Sequence, residues 1–312
     1  MNTNTYLLPQ STDPSRWESA LYAFLAEKHR RTGSLRTVQS YSRILNHFFG
    51  RLGKAPDQVG SPEVMAFCFG KGLSGREPAA ITIGNRVATI SSFYRFLIRM
   101  SMLTSNPCDA LERPKVNSAP ARGLSADDVK RLLAVIPDTA AGRRDRAIVL
   151  TLVLTGRRRS EVLNLKAKDI ECDEERAFYQ YRGKGGKVGR RELPRPAYDA
   201  IVRTLADCGK CLETMSQDES LWQAGSGPQG ISQPTAYARF KRYLVAAGLP
   251  PTGFHILRHS AAKLRRDAGE SVEAVSQFLD HSSLAVTTVY LRRLEVAEDT
   301  SWGKVAEAIG VA

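Results

Sequence analysis

Long apolar runs are missing from this chain. No stretch of eighteen or more apolar residues occurs, whereas a membrane-spanning helix needs about 20, so no membrane partner is expected. The opening MNTNTYLLPQSTDPS has neither the basic start nor the apolar core of a secretory signal, and a soluble cytoplasmic protein is the expectation. Cysteine is scarce and odd in number, at five, with irregular spacing, which argues against a secreted disulfide scaffold. The pair Cys208 and Cys211 stands alone, and a structural zinc site takes four ligands. Histidine is equally scarce: His29, His47, His255, His259 and His281. His255 and His259 are spaced as on a zinc-binding helix, but no Glu follows His255, so the metalloprotease pattern is absent and no metal is expected. The Gly-rich stretch RGKGGKVGRR continues from Lys187 into Val188, which breaks the phosphate-loop pattern and leaves ATP binding unsupported. No cofactor is expected, and neither an internal repeat nor a low-complexity tract occurs.

Negative charge is the minority. The 312 residues carry 45 Lys and Arg against 32 Asp and Glu, a net charge of +13, which favours a polyanionic partner. A basic protein that binds nothing is the bland alternative. About half of the excess lies in the first 110 residues, with 13 basic and 7 acidic side chains. Both parts of the protein are therefore expected to touch the partner, with affinity that falls steeply with salt if it is a nucleic acid.

At 42% hydrophobic and 25% charged, the chain can bury ordinary cores and suits two domains. After a tail over 1–14, residues 15–112 read as helices: RWESALYAFLAEKHRRTG, SLRTVQSYSRILNHFFGRLG, SPEVMAFCFGKGL and EPAAITIGNRVATISSFYRFLIRMSML have helical apolar spacing with Ser, Ser-Pro or Gly boundaries. A Pro-, Asn- and Ser-containing linker is expected over 113–124 and a second domain over 125–312. That domain opens on a capping box, Ser125 and Asp128. GRRDRAIVLTLVLTGRRRSEVLNLKAKDI reads as a buried helix, a Gly turn and a second helix. ERAFYQYRGKGGKVGRRELP reads as a β-hairpin with a basic tip. Further helices are expected through HILRHSAAKLRRDAG and SVEAVSQFLDH. The expected class is mainly α with a small β-hairpin or sheet, in two domains.

The residues that could do chemistry are few. His255 and Arg258, three apart, share one face of a helix start; a solvated polar face is the ordinary alternative. Arg157, Arg158 and Arg159 follow Thr155-Gly156. Three cations at a helix start oppose the macrodipole, so at least one of them is expected to meet an anion, against a solvated basic corner. Lys184 and Lys187 lie among glycines that allow close approach to a ligand, or form a plain turn. Tyr290, taken alone, reads as a core aromatic.

Taken in order, these residues resemble the tyrosine recombinase (phage integrase-like) family, over nearly the whole chain and most strongly over 124–295. TGRRRSEVLNL resembles its first arginine box, which implies Arg158 as catalytic with Glu161 on the same helix. GKGGK resembles the hairpin lysine, Lys184 with Lys187 as the alternative. HILRHS resembles the His-x-x-Arg box, His255 and Arg258, and LDHSSLAVTTVY the last box, His281 and Tyr290. The intervals of 23 residues from Arg258 to His281 and 9 from His281 to Tyr290 match as well. The resemblance implies a C-shaped clamp of a helical core-binding domain and a catalytic domain. It implies that Tyr290 attacks a DNA phosphate to give a 3′-phosphotyrosine, with strand exchange through a Holliday junction and without metal or ATP. Arg158 and Arg258 would neutralise the phosphate, His255 act as base, Lys184 protonate the leaving oxygen, and His281 hydrogen-bond the phosphate. The implied partners are double-stranded recombination sites and three further copies of the chain in a tetramer, or a hetero-partner recombinase, with a nucleoid-associated location. A terminal helix over 301–311 would dock on a neighbour, or pack on its own domain.

Three positions depart from the family pattern: Arg157 where an apolar residue is usual, Phe254 where Pro is usual, and Asp280 where Gly is usual. The last adds a negative charge near the phosphate. With the departures in the C-terminal tail they favour a mobile-element integrase or resolvase at least as much as a housekeeping Xer role. The alternatives are a catalytically silent DNA-binding protein of the same fold and a type IB topoisomerase or hairpin resolvase.

Overall fold

The computed structural model describes residues 15–72, 75–114, 123–173, 176–182, 188–223 and 229–280. The chain divides into two compact units, Met1–Ser118 and Ala119–Ala312.

In the first unit four α-helices carry the core: α1 (Arg16–Thr32), α2 (Leu35–Leu52), α3 (Ser61–Phe69) and α4 (Ala80–Arg99). Local signals start them. Ser15 accepts from the Glu18 amide while Glu18 accepts from Ser15, and Ser34 caps α2 at Thr37, so exposed helix-end amides find acceptors. The helices bury an aromatic cluster in which Phe24 and Phe93 meet edge-on at 5.3 Å and Phe48 meets Phe67 at 4.9 Å, the offset geometry that ring quadrupoles favour.

The second unit runs α5 (Ala126–Ala134), α6 (Ala140–Thr155), α7 (Arg159–Leu163), β1 (Ile170–Cys172), β2 (Ala177–Arg182), β3 (Val188–Leu193), α8 (Arg195–Ala206), α9 (Gln233–Ala246), α10 (His255–Asp267) and α11 (Val272–Phe278). The strands form an antiparallel sheet in the order β1-β2-β3, with Tyr179 opposite Arg191 and Tyr181 opposite Gly189. Ala177, Tyr179 and Tyr181 of β2 face inward. The core gathers Leu152, Ile201, Leu244 and Leu257 around Trp222, whose indole N–H donates to the Val162 carbonyl at 2.6 Å. Asp145 on α6 ties in α9, accepting from Arg239 and, at 2.7 Å, from the Tyr243 hydroxyl. The fold is mainly helical with one small sheet.

Two details differ from the sequence reading. The helix after Gly156 is only five residues long, and the hairpin has a third strand, β1. After Leu163 the backbone leaves the α-helix: Lys166 is extended, with φ of -118° and ψ of 167°, and a single 3-10 turn over Ala167–Asp169 leads into β1.

Candidate active site

The turn between α6 and α7 is built first. Gly156 closes α6 with φ of 60°, its amide donating to the Leu152 carbonyl. A Cβ at Gly156 would lie 2.5 Å from the Phe278 ring and 2.9 Å from Leu279. Glycine is thus required both for the left-handed backbone and for the approach of the segment that follows α11.

Arg158 is the N-cap residue of α7. Its amide donates to one oxygen of Glu161 and its guanidinium to the other, each at 2.8 Å. The Glu161 side chain is 3% exposed and that of Arg158 is 39% exposed, so a buried carboxylate aims a solvent-facing cation. Arg258, on α10, is buried. Its Nη1 donates to the Gly156 carbonyl at 2.7 Å and its Nη2 to the Leu279 carbonyl at 2.6 Å. One guanidinium fork therefore bridges the turn before Arg158 and the end of α11. His255, one helical turn before Arg258, is exposed at the start of α10, and its ring meets His259 edge-on at 4.8 Å. Its pKa lies below the ordinary value, because protein atoms crowd the ring and the charges of Arg258 and Arg158 both oppose a further proton. Arg158 and Arg258 thus lie near enough to His255 for both charges to disfavour a second proton on its ring.

Lys184, Lys187, His281 and Tyr290 lie outside the described residues, as does the 301–311 segment. β2 and β3 flank residues 183–187, and Asp280 is the residue before His281.

Arg157 is neither catalytically placed by its neighbours nor a solvated corner. It is 2% exposed. Its Nε donates to the Thr155 carbonyl at 3.2 Å, and its terminal nitrogens donate to the Phe278 carbonyl and to Asp280. The anion expected for the arginine triplet is therefore met inside the protein. Asp280 also accepts from the Tyr181 hydroxyl and, at 2.9 Å, from Arg191. Partial burial works against its charge, but the bonds from Tyr181 and Arg157 outweigh that and hold its pKa below the usual carboxylate value. The charge expected near a phosphate is thus already engaged by three donors. Tyr181 and Arg191 were not singled out from sequence; the folded chain turns Tyr181 inward on β2 and brings both side chains to Asp280.

The first unit has its own groove of about 910 Å³ between α2 and α4, lined in part by Tyr41, Arg43 and His47 and by Asn85 and Arg86. Arg86 there is committed, since one of its nitrogens donates to the carbonyls of Phe67, Cys68 and Gly70 at 3.0 to 3.1 Å and so closes the end of α3. Among the described residues no helix is long and apolar enough to cross a membrane, and no three His, Cys, Asp or Glu side chains are grouped to hold a metal ion.

Residues 122–295 match the Phage integrase family. Tyrosine recombinase XerD of Agrobacterium fabrum (strain C58 / ATCC 33970) is 28% identical over 305 residues, 91% of each chain. Tyrosine recombinase XerC of Mycobacterium bovis (strain BCG / Pasteur 1173P2) is 30% identical over 222 residues, 70% of this chain and 74% of its own. Among solved structures, XerH site-specific recombinase bound to its difH substrate in a pre-cleavage complex superposes with a TM-score of 0.66 at 19% identity, covering 88% of this chain and 82% of that one. A lambda integrase tetramer bound to a Holliday junction superposes with a TM-score of 0.65 at 20% identity, covering 87% and 76%. These two share the fold with this chain.

Proposed function

Since the chain belongs to the phage integrase family of tyrosine recombinases, we propose that it is a site-specific DNA recombinase that cleaves and rejoins strands through a 3′-phosphotyrosine at Tyr290. The observation that carries this reading is the gathering of Arg158, His255 and Arg258 from the α6–α7 turn and the start of α10.

A DNA phosphodiester is an anion that repels nucleophiles, and its transition state carries more charge at the equatorial oxygens. Arg158 offers a partly exposed fork suited to those oxygens, and Glu161 fixes its direction. Arg258 adds positive charge from beneath and holds the backbone at Gly156 and Leu279. Fixed donors of this kind stabilise a transition state without reorganising during the reaction. A phenol with a pKa of about 10 is a weak nucleophile at neutral pH. His255, neutral there because its pKa is lowered, is the group proposed to take the Tyr290 proton. The Tyr290 oxygen bonds to phosphorus, the bond from phosphorus to the 5′ oxygen breaks, and Lys184 protonates that oxygen. His281 hydrogen-bonds the phosphate. The phosphotyrosine keeps the ester bond, so a 5′ hydroxyl from the partner strand reverses the step without ATP. The two guanidiniums, His255 and Lys184 are the charge- and proton-handling groups, and no metal is assigned a step.

Exchange between two DNA sites through a Holliday junction calls for four protomers, either identical or with a hetero-partner recombinase. The lambda integrase tetramer bound to a Holliday junction, which shares this fold, supports that assembly. Segment 301–311 is the proposed link between neighbours; deletion of 298–312 should prevent tetramer assembly on DNA.

The test is a nicked duplex carrying the inverted-repeat site next to the coding sequence. Loss of the short strand beyond the nick traps the covalent complex. The wild type should form a denaturant-resistant adduct that Tyr290→Phe abolishes. DNA binding with no adduct would leave a silent DNA-binding protein. Relaxation of supercoils with no recombinant product would indicate a topoisomerase.

A further inference from the structure

We propose that Arg157 and Asp280 form a latch that positions the reacting segments of the catalytic unit against one another, and that its contribution is to the rate of strand cleavage rather than to DNA affinity. The inference rests on the reading of the site given above.

Both residues are held in costly states. Asp280 has φ of 51°, and Ser101 is the one other non-glycine residue with positive φ among the described residues. That backbone suits glycine, although a short polar side chain tolerates it. Arg157 is a buried cation, and burying a charge is unfavourable unless it is paired and hydrogen-bonded. What the two residues gain is each other. The ion pair spans 123 positions of sequence, and the Arg157 guanidinium also lies 4.6 Å from the centre of the Tyr181 ring and 5.8 Å from that of Phe278. Such stacking is strengthened by desolvation.

The cluster also joins four segments to which the proposed mechanism assigns roles. Arg157 is the residue before Arg158. Tyr181, on β2, comes three residues before Lys184, and Arg191, on β3, follows Lys187 by four. Asp280 accepts from all three side chains and is bonded to His281. The Phe278 carbonyl, held by Arg157, and the Leu279 carbonyl, held by Arg258, fix the two residues before it. The chain therefore enters residue 281 from a point defined by the first arginine turn and by both strands of the hairpin. Catalysis of this kind depends on reacting groups held in near-attack geometry, and a small misplacement is costly.

The test compares Arg157→Leu, Asp280→Asn and the double variant in single-turnover cleavage of the nicked duplex, with DNA affinity measured in parallel. Each single variant should cleave about tenfold more slowly, with affinity within about twofold of the wild type. The double variant should be no slower than the slower single one, because the two changes break the same contact. Wild-type cleavage rates in the folded single variants, or losses that multiply in the double variant, would overturn the latch. So would matched losses of affinity and rate. Should Asp280→Asn fail to fold, Arg191→Ala carries the test. Its side chain is 51% exposed, so it removes one donor from Asp280 without leaving a buried charge; it should slow cleavage by about two- to fivefold at unchanged melting temperature, and an unchanged rate counts against the latch. A wild type that forms no adduct sinks the reading of the site and the latch with it. An active wild type with equally active variants sinks the latch alone.

Discussion

Arg258 donates from Nη1 to the carbonyl oxygen of Gly156, 102 positions earlier, at 2.7 Å. Gly156 is the last residue before the arginine triplet, so the second arginine of the site fixes the turn that presents the first. Its other terminal nitrogen holds Leu279 at 2.6 Å. The residue proposed to stabilise the phosphate thus also sets the frame in which Arg158 stands.

Arg258→Lys should therefore fail twice. Lysine keeps a charge but lacks the planar fork. Each buried carbonyl left without its donor costs about 1–3 kcal/mol, which urea denaturation will measure. Loss of a transition-state donor should slow cleavage by about 10²- to 10³-fold. A variant as stable and as fast as the wild type would contradict both roles.

His255 makes a prediction in pH. Its folded pKa lies below the ordinary 6.5 because of crowding and the charges of Arg258 and Arg158. The unfolded chain therefore binds the proton more readily. The stability contribution is complete above the unfolded value and is lost as pH falls from 6.5 through the folded pKa. His255→Gln should flatten that part of the stability profile. The acid limb of kcat/KM, which reports the free enzyme, should lie below 6.5 in the wild type and disappear in the variant; a limb at or above that value argues against His255 as the base.

Gly156→Ala should destabilise the second unit by about 1–3 kcal/mol. It would force a left-handed backbone on alanine and drive a methyl group into the Phe278 ring, 2.5 Å away. Ala substituted at Gly209, which also has positive φ but nothing within 4 Å, separates the backbone cost from the packing cost. Equal losses at the two sites would show that the Phe278 approach contributes nothing.

Glu161→Gln keeps the shape of the Arg158 partner and removes its charge. A charge-assisted hydrogen bond is worth about 1.5–3 kcal/mol, so a cleavage rate lower by roughly tenfold or more is expected. Because Arg158 is itself partly exposed, no buried cation is stranded and DNA affinity should change little. Kinetics on the nicked duplex with a binding titration will separate the two.

The net charge of +13 sets the salt response. For about six to ten phosphate contacts, affinity for duplex DNA should fall by about 10³- to 10⁵-fold between 50 and 200 mM salt. Fluorescence anisotropy across that range tests it; a flat response would remove the backbone contacts on which the reading depends.

Much of this architecture is written in short-range pattern. Ser15, Ser34 and Ser125 mark helix starts because an N-cap acts on amides only three residues away. Tyr179 and Tyr181 announce the buried face of β2 because side chains alternate along a strand. β1 escaped because three residues are too few to show a period. Arg158, His255 and Arg258 were named through the resemblance of their boxes to a family pattern, in which residue types and short spacings are local features.

Which of two adjacent arginines faces solvent was not local. Within TGRRRSEVLNL the family resemblance implied Arg158 as the catalytic residue, but only the folded chain shows Arg157 buried against Tyr181 and Asp280 and Arg158 turned outward by Glu161. Sequence alone determined the helices, the hairpin and the inventory of cations. Tertiary structure decided which cation is spent inside the protein, because burial and pairing depend on a carboxylate 123 residues away that only the folded chain brings near.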